Sequence, residues 1–398
     1  MDDSYDPPER FEGALDQLHQ LVADQVGSDD FGPPDYLPGL RVLLQSMDYD
    51  PHFTEQGRRY AWGQVVNTLK SRVYAIRSTA LNPNFGATEI ASPVVITGIP
   101  RSGTTALHRL MAVDQRFQGL QSWLLDSPMP RPPVARWPDY AEYRKTVAIL
   151  ENRYREAPEK RAAHSMAAED VHECCMLLSH GFTSNILSCG WSAATYDAWR
   201  MSANEGPAYR YYRRCVQLIG SNDPGKRWLL KNPGHIEQLD LLFAVFPDAK
   251  VIQTHRDPAK AVPSLCSLLM QLHPVFENDR RDQRARIMLA RESEKWANAI
   301  RRADTVRTRF PDQVLDIVHG DFHRDPAGVM ERIYAFIGMD MPEQVRADMA
   351  LRIAAKPEMA HGKHRYDIAD FGLAAGEVRE RFGNYVERFD LIERGASR

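Results

Sequence analysis

Long apolar runs are missing from this chain. No stretch approaches the ~18 consecutive apolar residues of a membrane-crossing helix, so no membrane span is expected. An excess of either charge is missing too. The 50 Lys and Arg nearly balance 53 Asp and Glu, a formal net charge of −3, which removes the electrostatic reason to expect nucleic acid as a partner. Basic pairs such as Arg280–Arg281 and Arg301–Arg302 alternate with acids and read as solvated helix faces. Cysteine is sparse and odd in number: Cys174, Cys175, Cys189, Cys215 and Cys266, with no C-x-x-C spacing. Reduced thiols in a cytoplasmic protein fit this usage. His172, Cys175 and His180 could meet on a helix and raise the question of zinc, but buried structural thiols on an apolar face account for them more simply. The first residues, MDDSYDPPERFEG, are acidic and lack the basic and apolar regions of a signal peptide.

What is present is an ordinary globular composition, 43% hydrophobic and 26% charged, in 398 residues. Such a length buries roughly three quarters of its unfolded surface. Residues 1–90 read as helical: Leu15, Leu18, Leu21 and Val22 recur at helical spacing, as does the stretch Tyr60 to Ile76. Gly32-Pro33-Pro34 and Asn82-Pro83-Asn84 punctuate them. This part is expected to be a cap on the main domain. Residues 128–138 are proline-rich, and 139–222 are expected to be mostly helical and dense in aromatics: Phe182, Trp191, Tyr196, Trp199, Tyr209, Tyr211 and Tyr212. Those rings suit either a helical core or the wall of an apolar substrate pocket.

The β-type runs 93–98, Trp228–Lys231, Lys250–Thr254 and Val314–Val318 are each followed by a helical pattern, about Ala106–Met111, His235–Val245, from Asp257, and Pro326–Ile337. A long polar helix, roughly Arg281–Arg309, precedes the last strand. Repeated strand-then-helix units imply a parallel sheet with helices on both faces. Ligands in such sheets sit beyond the carboxyl ends of the strands, where the loops 98–105, 231–235 and 255–264 fall.

Those loops carry the chemistry. In PVVITGIPRSGTT, Pro93–Thr105, a strand turns through Gly98 and Gly103 into a helix start, an arrangement that cradles anions with backbone N–H groups. Gly98-x4-Gly103 matches the first half of a Walker A loop, but Thr104 stands where that loop has lysine, and the nearest cation is Arg101. In HRDPAKAVPS, Asp257 is a good N-cap and Pro258 suits the first helical position, so Arg256 projects just before a helix start and Ser264 adds a hydroxyl two turns on. The alternative to a phosphate-binding role is that Arg256 merely pairs with a local carboxylate. In WLLKNPGH, Lys231 ends a strand and points into the crevice, and His235 is placed to serve as a general base or is simply a helix N-terminal histidine. Two anion sites with a lysine between them suit a nucleoside bearing phosphates at both ends.

GIPRSGTT, LLK-x-P-x-H, RDP-x5-S and the segment DFHRDPAGVMERIYAFIG together resemble the PAPS-dependent sulfotransferases, closest to bacterial members with an R-S-G-T-T loop, which the tyrosylprotein sulfotransferases share. The resemblance covers about 93–115 and 228–340, with a weaker echo at 361–390. It implies an α/β fold: a P-loop-like parallel sheet flanked by helices in a single domain, with a helical cap (1–90), a PAPS-binding core (91–127 and 226–345), a helical acceptor-side insertion (128–225) and a C-terminal segment (346–398) closing over the nucleotide. It implies 3′-phosphoadenosine 5′-phosphosulfate (PAPS) as co-substrate and no metal. Arg101, Ser102, Gly103, Thr104 and Thr105 would wrap the 5′-phosphosulfate, Arg256 and Ser264 would hold the 3′-phosphate, and Lys231 would bridge the sulfuryl group and its leaving phosphate. His235 and Glu169, in AAEDVHE, are the rival bases. Many members place tryptophan after the T-T pair, where this chain has Ala106; the usual R-K-G loop is absent, and HGKHRYDIADFGL would replace it, with Lys363 or His364 touching the nucleotide. The acceptor expected is a small molecule, lipid or glycan. The sequence leaves homo-oligomerisation open. A P-loop kinase using ATP and a non-catalytic nucleotide-binding module are the rival readings.

Overall fold

The computed structural model describes residues 5–156, 166–355 and 367–392. Five strands form one all-parallel sheet: β1 (Val94–Gly98), β2 (Phe117–Gln118), β3 (Arg227–Lys231), β4 (Lys250–His255) and β5 (Val314–Val318), in the order β2-β3-β1-β4-β5. The fold is the expected α/β architecture with helices on both faces. Strands covered on both sides read as continuous apolar runs, and β1 is buried along its whole length. Its side chains alternate between faces: Val94 and Ile96 pack with Leu107, Leu110 and Ile333, whereas Val95 packs with Trp123, Ile219 and Leu230. β2, only two residues long, was not expected from the sequence.

The register fixes the site. Ile96 of β1 stands opposite Lys231 of β3, and Gly98 opposite Thr254 of β4. After β1 the chain leaves toward β2 on one side, and after β4 it leaves toward β5 on the other. Such a reversal opens a crevice at the strand ends.

Helices Leu15–Val26, Leu37–Tyr49 and Glu55–Leu81 make the N-terminal part. Leu18, Leu43, Trp62 and Val66 pack there with Phe182, Trp191 and Tyr196, so these helices close on the aromatic insertion rather than on the sheet alone. The insertion's aromatics are buried, with Trp199 only partly so, which favours the core reading over a pocket wall. Arg200 joins the insertion to the core. It lies 3.2 Å from Glu205 and 2.7 Å from Glu237, deep inside. Burial raises Glu205 to about 7 despite this cation.

The expected helix from His235 is instead a 3-10 turn, Pro233–Gln238, followed by the α-helix Leu239–Val245. Asn232 causes this: its side chain accepts from the Gly234 N–H at 3.0 Å, a turn that competes with α-geometry. The five cysteines form no disulfide. Among the described residues no helix is long and apolar enough to cross a membrane.

Candidate active site

The loop after β1 is held in a conformation that few residues adopt. Gly98 has φ +141° and Gly103 φ +96°, and Arg101 between them has φ +68°, an uncommon value for a side-chain-bearing residue. Backbone strain of this kind, worth about 1–3 kcal/mol, persists where the surroundings over-determine it. Here they do. Ser102 Oγ donates to Ile99 O at 2.6 Å and lies 2.6 Å from Thr254 Oγ1, while Thr254 Oγ1 donates to Thr97 O at 3.2 Å. Ser102 is thus a brace, its N–H also turned back to Ile99 O, 3.3 Å away. A Cβ on Gly98 would stand 2.4 Å from Thr254 O. Gly98→Ala is therefore expected to lose at least about 2 kcal/mol, seen as a lower thermal midpoint; an unchanged midpoint would show that the loop can shift.

Helix Thr104–Met111 starts at the end of this loop. Its first N–H groups, those of Thr104 and Thr105, have no intrahelical acceptor and face the crevice end with the positive pole of the helix. Gly103 permits the close approach of His319, whose Cδ2 would lie 3.1 Å from a Cβ there.

Arg101, Arg256 and Ser264 meet. Arg256 Nη1 donates to Arg101 O at 2.7 Å, and Arg101 Nε donates to Ser264 Oγ at 3.2 Å. The two basic turns expected to be separate are thus one continuous cationic edge. Asp257 caps helix Pro258–Leu269 through the Ala259 N–H, as its sequence predicts, and also receives both Arg379 Nε (3.0 Å) and Arg379 Nη2 (2.6 Å). Tyr385 Oη lies 3.1 Å from His255 Nδ1. The C-terminal residues are therefore tied to the base of the Arg256 turn. Lys363 and His364 lie outside the described residues.

Lys231 sits at the other end of the loop. Its side chain is 2% exposed, and Nζ donates to Thr105 Oγ1 at 3.2 Å and to the Glu173 carboxylate. A buried ammonium needs such a partner. Glu173 itself is 30% exposed. Its backbone is pinned on both sides: the His172 N–H donates to Leu120 O at 2.6 Å, and the Cys174 N–H to the carbonyl of Lys231 itself at 2.9 Å. Asn232 N–H donates to Ile96 O, and Thr97 Oγ1 to Asn232 O, which fixes the strand end that carries Lys231.

His235 does not face this crevice, which corrects its reading as the base. Its ring is wholly enclosed, 2.9 Å from Tyr209 Oη through Nδ1 and between the rings of Tyr209 and Tyr212. Burial pushes it down to about 3. The cause is the 3-10 turn, which rotates the residue into the core. Glu169 is exposed and takes a hydrogen bond from Tyr143. The sequence reading missed Glu173, four residues beyond Glu169 in the same segment, and His319. The latter was findable, since it directly follows the expected strand Val314–Val318. Burial, then the charge of Arg256, pushes His319 down to about 3, and its Nε2 is 3.0 Å from that of His323. Among the described residues no group of three or more His, Cys, Asp and Glu side chains is placed to hold a metal ion, the trio His172, Cys175 and His180 included.

Comparison with known proteins places this geometry. The profile of the sulfotransferase family matches residues 93–343. The crystal structure of sulfotransferase STF1 from Mycobacterium tuberculosis H37Rv superposes with a TM-score of 0.84, at 31% identity, covering 94% of this chain and 100% of that one. STF9 from Mycobacterium avium shares the fold with a TM-score of 0.87 at 22% identity, covering 98% of this chain and 100% of that one. The omega-hydroxy-beta-dihydromenaquinone-9 sulfotransferase Stf3 of Mycobacterium tuberculosis (strain CDC 1551 / Oshkosh) is 24% identical over 321 residues, 75% of this chain and 74% of that protein.

Proposed function

Because the chain belongs to the sulfotransferase family, we propose that this transferase draws its sulfuryl group from PAPS and delivers it to a hydroxyl or amine of an apolar small molecule or lipid. The observation that carries the donor is the joined edge of Arg101, Arg256 and Ser264, continuous with a glycine-bearing loop and ending at Lys231. In this reading the loop amides, with Gly103, Thr104 and Thr105, take the 5′-phosphosulfate. Arg256 and Ser264 take the 3′-phosphate. Ser102 contributes by bracing the loop. Lys231 bridges the sulfuryl group and the leaving phosphate oxygen. In this reading the described part of the C-terminal segment, 367–392, lies toward the nucleotide, anchored by Arg379 on Asp257.

Sulfuryl transfer parallels phosphoryl transfer: the protein aligns nucleophile and leaving group and neutralises charge on the departing oxygen. Fixed cations and N–H groups inside a crevice do this without reorganising. No divalent metal is required in this scheme. The acceptor class rests on the lipid-quinone substrate named for Stf3. Five unpaired thiols fit a reducing, cytoplasmic setting.

Calorimetry tests the donor. With EDTA present, 3′,5′-bisphosphoadenosine should bind more tightly than ATP; the reverse order, or a metal requirement, would favour a kinase. Arg256→Ala should weaken bisphosphate binding about 10–100-fold, the worth of a charge-assisted hydrogen bond. An unchanged affinity would remove Arg256 from the site.

A further inference from the structure

Lys231 is almost fully buried, yet its counter-charge, Glu173, reaches the surface of the crevice. The pairing is set by main chain. The bridge between Gln121 and Val171, the His172 bond to Leu120 and the Cys174 bond to the Lys231 carbonyl lay residues 171–174 along the sheet edge. Glu173 is therefore the carboxylate clipped to the very residue that would grip the sulfuryl group. We propose that Glu173 is the general base of the transfer, and that its ion pair with Lys231 is the resting state from which the donor releases it. This rests on the donor reading above.

The surroundings support the assignment. His108, His172 and His235 stand around the pair, and each has a buried ring nitrogen without a hydrogen-bond partner among the described residues: Nδ1, Nδ1 and Nε2. Burial holds all three neutral. Beside Glu173 stand Lys231 from β3, paired with it, His108 from helix Thr104–Met111, and His172, Cys174 and Cys175, with Cys175 Sγ 3.8 Å from Oε2; Arg109 pairs with Asp170 at 3.2 Å, and His235 senses the carboxylate from its enclosure in the core. Lys231 is a cation paired directly with the carboxylate. A sulfonate oxygen arriving at Lys231 replaces it as counter-charge. Glu173 then turns to the acceptor.

In the step itself, the acceptor hydroxyl gives its proton to the Glu173 carboxylate, and its oxygen forms a bond to sulfur. The bond from sulfur to the bridging oxygen breaks, and that electron pair leaves on the 5′-phosphate of 3′,5′-bisphosphoadenosine. No redox partner is involved. Water serves as acceptor in the same way when nothing better is bound.

The test uses the whole protein with labelled PAPS and follows sulfate release into water, alongside calorimetry with 3′,5′-bisphosphoadenosine. Glu173→Gln should slow release about 100-fold, within the usual range for a lost general base, while bisphosphate affinity stays within about threefold. The acid limb of the rate–pH profile should vanish in that variant, and Glu173→Asp should keep part of both rate and limb. A Gln variant as fast as the parent, one that keeps the acid limb, or one that loses bisphosphate binding together with rate would each overturn the assignment, the last by making Glu173 only a positioning residue for Lys231. A parent that neither binds the bisphosphate nor releases sulfate would instead overturn the donor reading.

Discussion

Lys231→Ala is expected to lower turnover about 10³-fold while leaving the protein folded. A fixed cation at the departing oxygen is worth roughly 10²–10³ in rate when a single donor is removed. Lys231 is placed at the upper end of that range because the proposed mechanism gives it two roles, charge neutralisation and alignment, and its Nζ is held beside Thr105. The fold should tolerate the loss. Breaking a fully buried ion pair is severe because it strands the other charge. Glu173, however, is 30% exposed and can turn to water. Lys231→Arg should rescue poorly, since a planar fork does not replace a compact ammonium in a site enclosed by β1, Thr105 and Glu173. Steady-state rates with PAPS, read beside the thermal midpoint, decide the matter. Turnover within tenfold of the parent in Lys231→Ala would remove the residue from the chemistry.

A second large effect is acid unfolding that begins well above the carboxylate range. His108, His180 and His235 are each almost completely enclosed, and burial pushes each down to about 3. In the unfolded chain the same rings titrate near the ordinary value of about 6.5. Between these limits the unfolded state binds protons that the folded state refuses. The stability these rings contribute is therefore intact above pH 6.5 and is lost as pH falls toward 3. Each ring removes on the order of 1.4 kcal/mol per pH unit once the medium is well below 6.5. Asp316 adds to the loss only later: burial would raise it, but His255 and Arg307 hold it at about 2, so its share disappears below pH 4. The urea midpoint should fall steeply from pH 7 to pH 5. Equal midpoints at those two values would mean that the rings take up protons within the fold.

Much of the architecture was legible because the residues that build it are local. Val94–Ile96, Trp228–Leu230 and Val251–Ile252 are apolar runs followed within a few residues by Gly98, Asn232-Pro233 and Asp257-Pro258, and helix Pro326–Ile337 has its Asp325 cap, proline start and Gly338 end in sequence. β2 escaped because two residues carry no periodicity; it exists through pairing with Arg227 and Trp228. The site divided in the same way. Arg101, Arg256, Ser264 and Lys231 stood in short motifs at strand ends. That Arg256 would rest on the Arg101 carbonyl depended on β1 lying beside β4, which strand order alone decides. His235 looked available because nothing near it in sequence announces Tyr209, and Glu173 looked ordinary because the bond that aims it comes from residue 231. The misreadings share a cause: contacts between segments far apart along the chain.

The bond between the Cys174 amide and the Lys231 carbonyl has a consequence for divergence within such enzymes. It sets the spacing of acid and cation by peptide geometry, whatever side chains decorate the surrounding walls. Side chains around the pair can change without moving it, so under the proposed mechanism the acceptor's berth is free to vary while acid and cation keep their distance.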